Sequence, residues 1–289
     1  MTCGGASPVL QIVHHLSMRN PTPSGPMQLP ATWNASAPGY AEYMVTHAAM
    51  YAERALEIVP LRPTDNVLDV AAGPGSLAFV AAPRAAYVVA VDFADGMVEQ
   101  IRTRAKRDGV SNVEARVMDA QSLDFPEGSF DAAFCMFGFM FFPDRMRAFR
   151  ELCRVLHPGG RALVATWAPI ERRPLMKVGF DSLAEALPGL PPLTKGDLQQ
   201  SDECVREMSG GGFRDVAAQV FTASMHVDSA EHYLRVMERA GGPFLALKKK
   251  VGADAWAQAE ARLLDAVRRR IPEGGTDLAA EAILTVGTR

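Results

Sequence analysis

Two rhythms of apolar and polar positions alternate through the middle of the chain. Short apolar, β-branched runs over Asn66–Ala71, Tyr87–Val91, Val113–Met118, Phe130–Met136 and Arg161–Trp167 predict strands. Segments with helical spacing fall between them, from about Gly75, over Asp95–Arg107 and over Arg145–Leu156, and His157–Gly160 (HPGG) predicts a turn. The alternation argues for a parallel α/β sheet covered by helices on both faces. Ala37–Val59 reads as one long helix closed by Pro60. Beyond Trp167 the rhythm breaks: Ala168–Ser209 mixes proline-rich connections with amphipathic stretches, and late strands are predicted over Arg214–Thr222 and Ala280–Val286. Residues 1–30 hold Pro8, Pro21, Pro23, Pro26 and Pro30 with little periodicity. They read as a flexible tail ahead of one domain over 31–289.

Composition narrows the function classes. With 289 residues, 48% of them hydrophobic, the chain can bury a sizeable core. The net charge of −3 is spread, so no basic field recruits nucleic acid or an anionic membrane. The basic runs Lys248–Lys250 and Arg268–Arg270 read as solvated helix faces. Cys3, Cys135, Cys153 and Cys204 are scattered, which argues against a disulfide framework or a structural zinc site. The apolar run Ala132–Phe142 has 11 residues, too short to span a bilayer, which takes roughly 18 or more. The start lacks the basic segment and long apolar run of a signal peptide. The expectation is a cytoplasmic protein with no membrane insertion.

The stretch NVLDVAAGPGSLA (Asn66–Ala78) carries the chemistry. Gly73–Ala78 fits G-x-G-x-x-A after a predicted strand and before a predicted helix, the setting of a dinucleotide fingerprint. Asp92 ends the next strand, 23 residues after Asp69, where a carboxylate accepts hydrogen bonds from a ribose diol. Adenosine binding follows; the choice of cofactor rests on charge. No Lys or Arg lies between Val67 and Ala82, and Asp69, Asp92 and Asp119 fall at successive strand ends. Three carboxylates disfavour a pyrophosphate and suit a ligand with an ammonium, a sulfonium and an adenosine, as in S-adenosylmethionine. An NAD(P)-dependent oxidoreductase on a Rossmann sheet is the alternative, and a non-catalytic ligand-binding regulator of the same fold is a third.

These segments resemble the class I S-adenosylmethionine-dependent methyltransferases, in particular the ubiquinone/menaquinone C-methyltransferase-like branch. VLDVAAGPGSLA, VVAVDFADGMVEQIR, VMDAQSLDFPEGSFDAAFCMFGFMFFPD and ELCRVLHPGGRALVATW occur in the family's order over Val67–Trp167, and GGFRDV (Gly211–Val216) resembles the entry to its sixth strand. Ala71 departs from the pattern, since many relatives have glycine there. The resemblance implies a Rossmann-like, seven-stranded, mostly parallel sheet of order 3-2-1-4-5-7-6 with one antiparallel strand. It also implies a helical lid over about 168–209 together with the N-terminal helix. By position, Asp69, Ala71, Gly73 and Gly75 would hold the methionine part of S-adenosylmethionine. Asp92 would bind the ribose, Phe93 and Met97 would flank adenine, Asp119 and Ala120 would bond its edge, and Cys135 and Met136 would line the sulfonium side. No metal is expected.

The acceptor side is less determined. Six of the fourteen phenylalanines lie in Phe130–Phe142. Phe137, Phe139 and Met140 read either as packing or as an apolar substrate wall, with Tyr40 and Tyr43 closing from the N-terminal helix. His47 and His226 are the candidate bases. The expected partner is a small, largely apolar or aromatic methyl acceptor, a quinone precursor or a polyketide or terpenoid product. The identity of the methylated atom is open.

Overall fold

The computed structural model describes residues 25–187 and 197–289; most of the expected tail, and part of the expected lid, lie outside them. The predicted strands form. β1 (Asn66–Val70), β2 (Tyr87–Asp92), β3 (Val113–Val117) and β4 (Phe130–Met136) pair in parallel, and β5 (Leu156–Trp167) runs parallel to β4. The late strands β6 (Arg214–Val227) and β7 (Thr276–Thr288) pair antiparallel along most of their length, and β7 also runs antiparallel to β5. The sheet order is 3-2-1-4-5-7-6, with β7 opposed to both of its neighbours.

Periodicity explains these elements. β1, β2 and β4 are apolar on both faces, as a sheet covered on both sides requires. α3 (Ser76–Ala81), α4 (Asp95–Asp108) and α5 (Arg145–Val155) follow the crossovers. Asp144 caps α5 by accepting from the Arg147 N–H at 2.9 Å. Gly109 ends α4 at φ 67°, the left-handed conformation that favours glycine. One face of the sheet buries Tyr51, Val67, Phe134 and Leu163, and the other buries Leu68, Val91, Phe149 and Leu152.

Several boundaries differ from expectation. Ala37–Val59 is two helices, α1 (Pro30–Tyr43) and α2 (Val45–Ile58), meeting at Met44. Part of the stretch expected as tail is structured: Pro26–Gln28 forms a 3-10 turn and α1 begins at Pro30. HPGG does not separate α5 from β5. It lies within β5 as a bulge, since two residues of β4 (Phe130 to Ala132) span the register from Leu156 to Arg161. β6 and β7 outrun their predicted lengths because they pair mainly with each other, so alternation is weak on β6's exposed edge.

Above the carboxyl ends of the strands sits a helical cap: α1, α6 (Pro174–Ala186), α8 (Ala230–Ala240), α9 (Gly242–Val251) and α10 (Ala253–Arg268). Leu175, Leu183, Tyr233, Met237, Phe244 and Trp256 form its core. α1 crosses α8 so closely that a Cβ on Gly39 would lie 2.1 Å from the Arg239 carbonyl oxygen. α7 (Ser201–Gly210), within the stretch expected as lid, instead joins the sheet's core through Cys204 and Met208. The basic run Arg268–Arg270 is not simply solvated: Arg268 pairs with Glu231 of α8 at 2.6 Å, and Arg269 and Arg270 pair with Glu185 of α6. No helix among the described residues is long and apolar enough to cross a membrane.

Candidate active site

The strand ends and the cap enclose a cavity of about 930 Å³ at the carboxyl edge of the sheet. Its two ends differ in chemistry.

At one end lie the carboxylates. Asp69, next to last in β1, has 1% of its surface exposed. Its Oδ2 accepts from the Ala78 N–H at 3.1 Å, while Oδ1 is buried without a hydrogen-bond partner. Burial raises its pKa to about 8, the Ala78 N–H opposes the rise, and the charge of Asp92 adds to it. Asp92 is also buried; its Oδ2 accepts from Gly73 N–H and its Oδ1 from Ala94 N–H, both at 2.9 Å. Its pKa is raised to about 6, again by burial first. Asp92 therefore pins the glycine turn to the end of β2. Gly73, at φ 54°, has no atom within 4 Å of where a Cβ would stand, so its backbone faces the open cavity. Ala71, at φ 52°, takes the left-handed conformation despite its methyl group. Asp119 is exposed and accepts from the Gln121 backbone N–H at 2.9 Å and from its amide; Ala120 beside it is buried.

The N-terminal helix closes this end. Trp33 and Tyr40 of α1 cluster with Phe93, Ala94 and Met97. Asn34 ties α1 to α4, accepting from the Gly96 N–H at 2.9 Å and donating to Asp95 at 2.5 Å. Burial, then the charge of Asp92, raises the Tyr40 phenol to about 12.

The other end is apolar. Met136, Phe137, Met140, Phe141, Trp167 and Phe180 border it. Phe137, at φ 66°, stacks on Trp167 with centroids 3.8 Å apart and planes 10° apart. Trp33 meets Phe141 at 5.3 Å and donates its indole N–H to the Met27 carbonyl at 2.9 Å.

Of the residues singled out in the sequence, Tyr40, Asp69, Ala71, Gly73, Asp92, Phe93, Met97, Asp119, Ala120, Met136, Phe137 and Met140 converge on the cavity. Six do not border it. Phe139 is fully buried and packs on Phe149 with centroids 4.1 Å apart, so it is core and not wall. Cys135 is buried in the same core; burial pushes its thiol up, and its side chain belongs to the sheet's far face. Gly75 caps α3 at φ 85° against Phe79 and Ile101, a packing role. Tyr43 points to Arg239, accepting from its guanidinium at 3.2 Å. His47 is buried, with Nε2 3.5 Å from the Tyr51 hydroxyl and Nδ1 unpartnered; burial lowers its pKa to about 4, which keeps the ring neutral. His226 stands exposed on β6, its Nδ1 2.8 Å from Asp277. No histidine borders the cavity among the described residues.

The cavity also has lining residues that the sequence reading passed over. Ser76 puts a buried, unpartnered hydroxyl beside Asp69's turn. Gln121 binds Asp119 and accepts from the Asp144 N–H at 2.8 Å. Trp167 is the last residue of β5, where the sequence pattern marks only a strand end, and Arg173, beyond it, has no motif to mark it. Among the described residues no cluster of His, Cys, Asp and Glu is arranged to hold a metal.

The shape and donor set suit S-adenosylmethionine: a buried acceptor atom at Asp69 for an ammonium, an open backbone at Gly73, and carboxylates at β2 and β3. Residues 67–160 match a family profile described as a methyltransferase domain. Over 118 residues the chain is 41% identical to a demethylmenaquinone methyltransferase of Thermus thermophilus, covering 40% of this chain and 53% of that protein. Over 133 residues it is 37% identical to a demethylmenaquinone methyltransferase of Clavibacter sepedonicus, covering 45% of this chain and 51% of that one. The chain thus spans about half the length of these curated relatives. The crystal structure of YcgJ from Bacillus subtilis superposes with a TM-score of 0.55 at 22% identity, covering 84% of this chain and 98% of that one. Strand order, glycine turn and family match agree: residues 67–160 match a methyltransferase domain, and the chain resembles the class I S-adenosylmethionine-dependent methyltransferases.

Proposed function

We propose that the protein transfers a methyl group from S-adenosylmethionine to a small, largely apolar or aromatic metabolite of the quinone-precursor, polyketide or terpenoid kind. One observation carries this reading: a single cavity has buried carboxylates around a glycine turn at one end and Met136, Phe137, Met140 and Trp167 at the other. S-adenosylmethionine, when bound, supplies a methyl carbon activated by sulfonium. Asp69 Oδ1 would accept from its ammonium, the Ala71–Gly73 backbone would hold its methionine chain, and Asp92 would accept from the ribose hydroxyls. Phe93 and Met97 would cover adenine, with Asp119 and Ala120 at its edge. Met136 and Phe137 would border the approach of the acceptor, which the apolar wall orients by excluding water. The stretch from Ala168 to Ala186, with α1, would act as the lid.

The demethylmenaquinone methyltransferases among the relatives support a quinone-like acceptor. Among the described residues no Lys, Arg or His borders the carboxylate end, which counts against NAD(P), whose pyrophosphate calls for amides and cations. The test is transfer of labelled methyl from S-adenosylmethionine to naphthoquinols, polyketides and terpenoids, set against peptides and oligonucleotides. Label on the apolar acceptors alone supports the reading; label on the polymers, or on none of them, contradicts it.

A further inference from the structure

We propose that Arg173 binds the acidic oxygen of the acceptor, so that this protein takes phenol- or enol-class acceptors as their oxyanions. The inference deepens the methyl-transfer reading and rests on it for calling the ligand an acceptor. Among the described residues, Arg173 is the one basic residue bordering the cavity. It stands just ahead of α6, and its Nε is buried with no hydrogen-bond partner. Its guanidinium lies over Trp167, 6.0 Å from the ring centroid, and Trp167 in turn stacks on Phe137. The cation is thus fixed at the aromatic end, on the same stack that borders the cavity.

Its neighbours make the contrast. Arg172, one residue earlier, is satisfied by Glu281 at 2.6 Å. Asp197 also borders the cavity, but it pairs with Arg145 at 2.9 Å. Glu171 acts on Arg173 by its charge without forming an ion pair among the described residues, and Asp69, Asp92 and Asp119 belong to the carboxylate end. Burial lowers the Arg173 pKa only to about 10, so the side chain stays charged at neutral pH. A half-buried guanidinium with an unsatisfied donor is costly unless an acceptor meets it, and an anionic oxygen makes the strongest bond it can form. With no histidine on the cavity wall among the described residues, ionisation favoured by Arg173 replaces a protein base. The hydroxyl proton passes to water, the oxygen retains the electron pair, and the nearby cation lowers the ligand's pKa.

The test uses the full chain, 4-nitrophenol as probe and 4-nitroanisole as its non-ionising counterpart, without turnover. Phenolate absorbance reports ionisation, and calorimetry reports binding. The expected result at pH 8 is tighter binding of 4-nitrophenol than of 4-nitroanisole by about tenfold. The ionisation midpoint of the bound phenol should fall by about one pH unit, which is the same factor. Arg173→Met should abolish both differences, and Arg173→Lys should keep part of them. Equal affinity for the two probes in the wild-type protein, or an undiminished preference in a folded Arg173→Met, overturns the proposal; the wild-type comparison decides even if that variant does not fold. S-adenosylhomocysteine binding, measured separately on the same samples, distinguishes the two readings: its loss defeats methyl transfer, whereas a flat phenolate titration beside intact cofactor binding defeats only the role of Arg173.

Discussion

Asp92 holds two backbone N–H groups, those of Gly73 and Ala94, so it builds the turn it is proposed to serve. Asp92→Ala would therefore loosen the fold as well as the ribose contact, and Asp92→Asn is the cleaner probe. A charge-assisted hydrogen bond contributes about 1.5–3 kcal/mol, so calorimetry of Asp92→Asn should give a cofactor Kd raised roughly tenfold or more. Asp69 makes a pH prediction. Its pKa is raised to about 8, above the ordinary 3.8, so the folded chain binds a proton there that the unfolded chain releases. The stability from this group is present at low pH and declines as pH rises from about 4 to about 8. An ammonium ligand favours the ionised carboxylate. Binding of S-adenosylmethionine at pH 6.5 should then release protons, seen as a dependence of the calorimetric heat on buffer ionisation, and Asp69→Asn should abolish that release. Ala71 and Gly138 make a coupled pair: a Cβ on Gly138 would lie 2.5 Å from the Ala71 Cβ and 2.8 Å from Cys135 Sγ. Gly138→Ala should cost about 1–3 kcal/mol in denaturant unfolding, and Ala71→Gly in the same chain should recover part of it.

At the scale of elements, the short apolar runs marked β1, β2 and β4 almost to the residue, because a strand buried on both faces has no other way to satisfy its apolar side chains. The same rule misled at Phe139. In sequence Phe137, Phe139 and Met140 look alike, yet the 3-10 turn over Phe139–Phe141 rotates Phe139 into the core while its neighbours border the cavity. Phe139→Ala should accordingly cost about 3–5 kcal/mol of stability, the penalty of a buried aromatic truncation. Met140→Ala should leave the melting temperature nearly unchanged and raise the acceptor KM. His47 and His226 were attractive only as residue types; burial and strand orientation, which no local pattern encodes, keep both off the cavity wall. Arg173 was invisible for the converse reason. It lies far in sequence from the glycine turn and meets the cavity where its guanidinium lies over Trp167, the last residue of β5.

Across the whole molecule, the sheet supplies the carboxylate end and the cap supplies the closure. Carboxylates at successive strand ends were legible because parallel strands deliver their C-termini to one edge. The cap was legible only as helical stretches, since its core joins α6, α8, α9 and α10 over long sequence separations. The Gly39–Arg239 crossing binds α1 to that cap, and Gly39→Ala should speed hydrogen exchange in both α1 and α8. The central claim is that the carboxylate end holds S-adenosylmethionine. Calorimetry with S-adenosylmethionine, S-adenosylhomocysteine, NAD and NADP tests it most directly. The account predicts one site for each of the first two ligands, weakened in Asp69→Asn, with no heat from the nucleotides; saturable NAD or NADP binding, or none by S-adenosylhomocysteine, would contradict it.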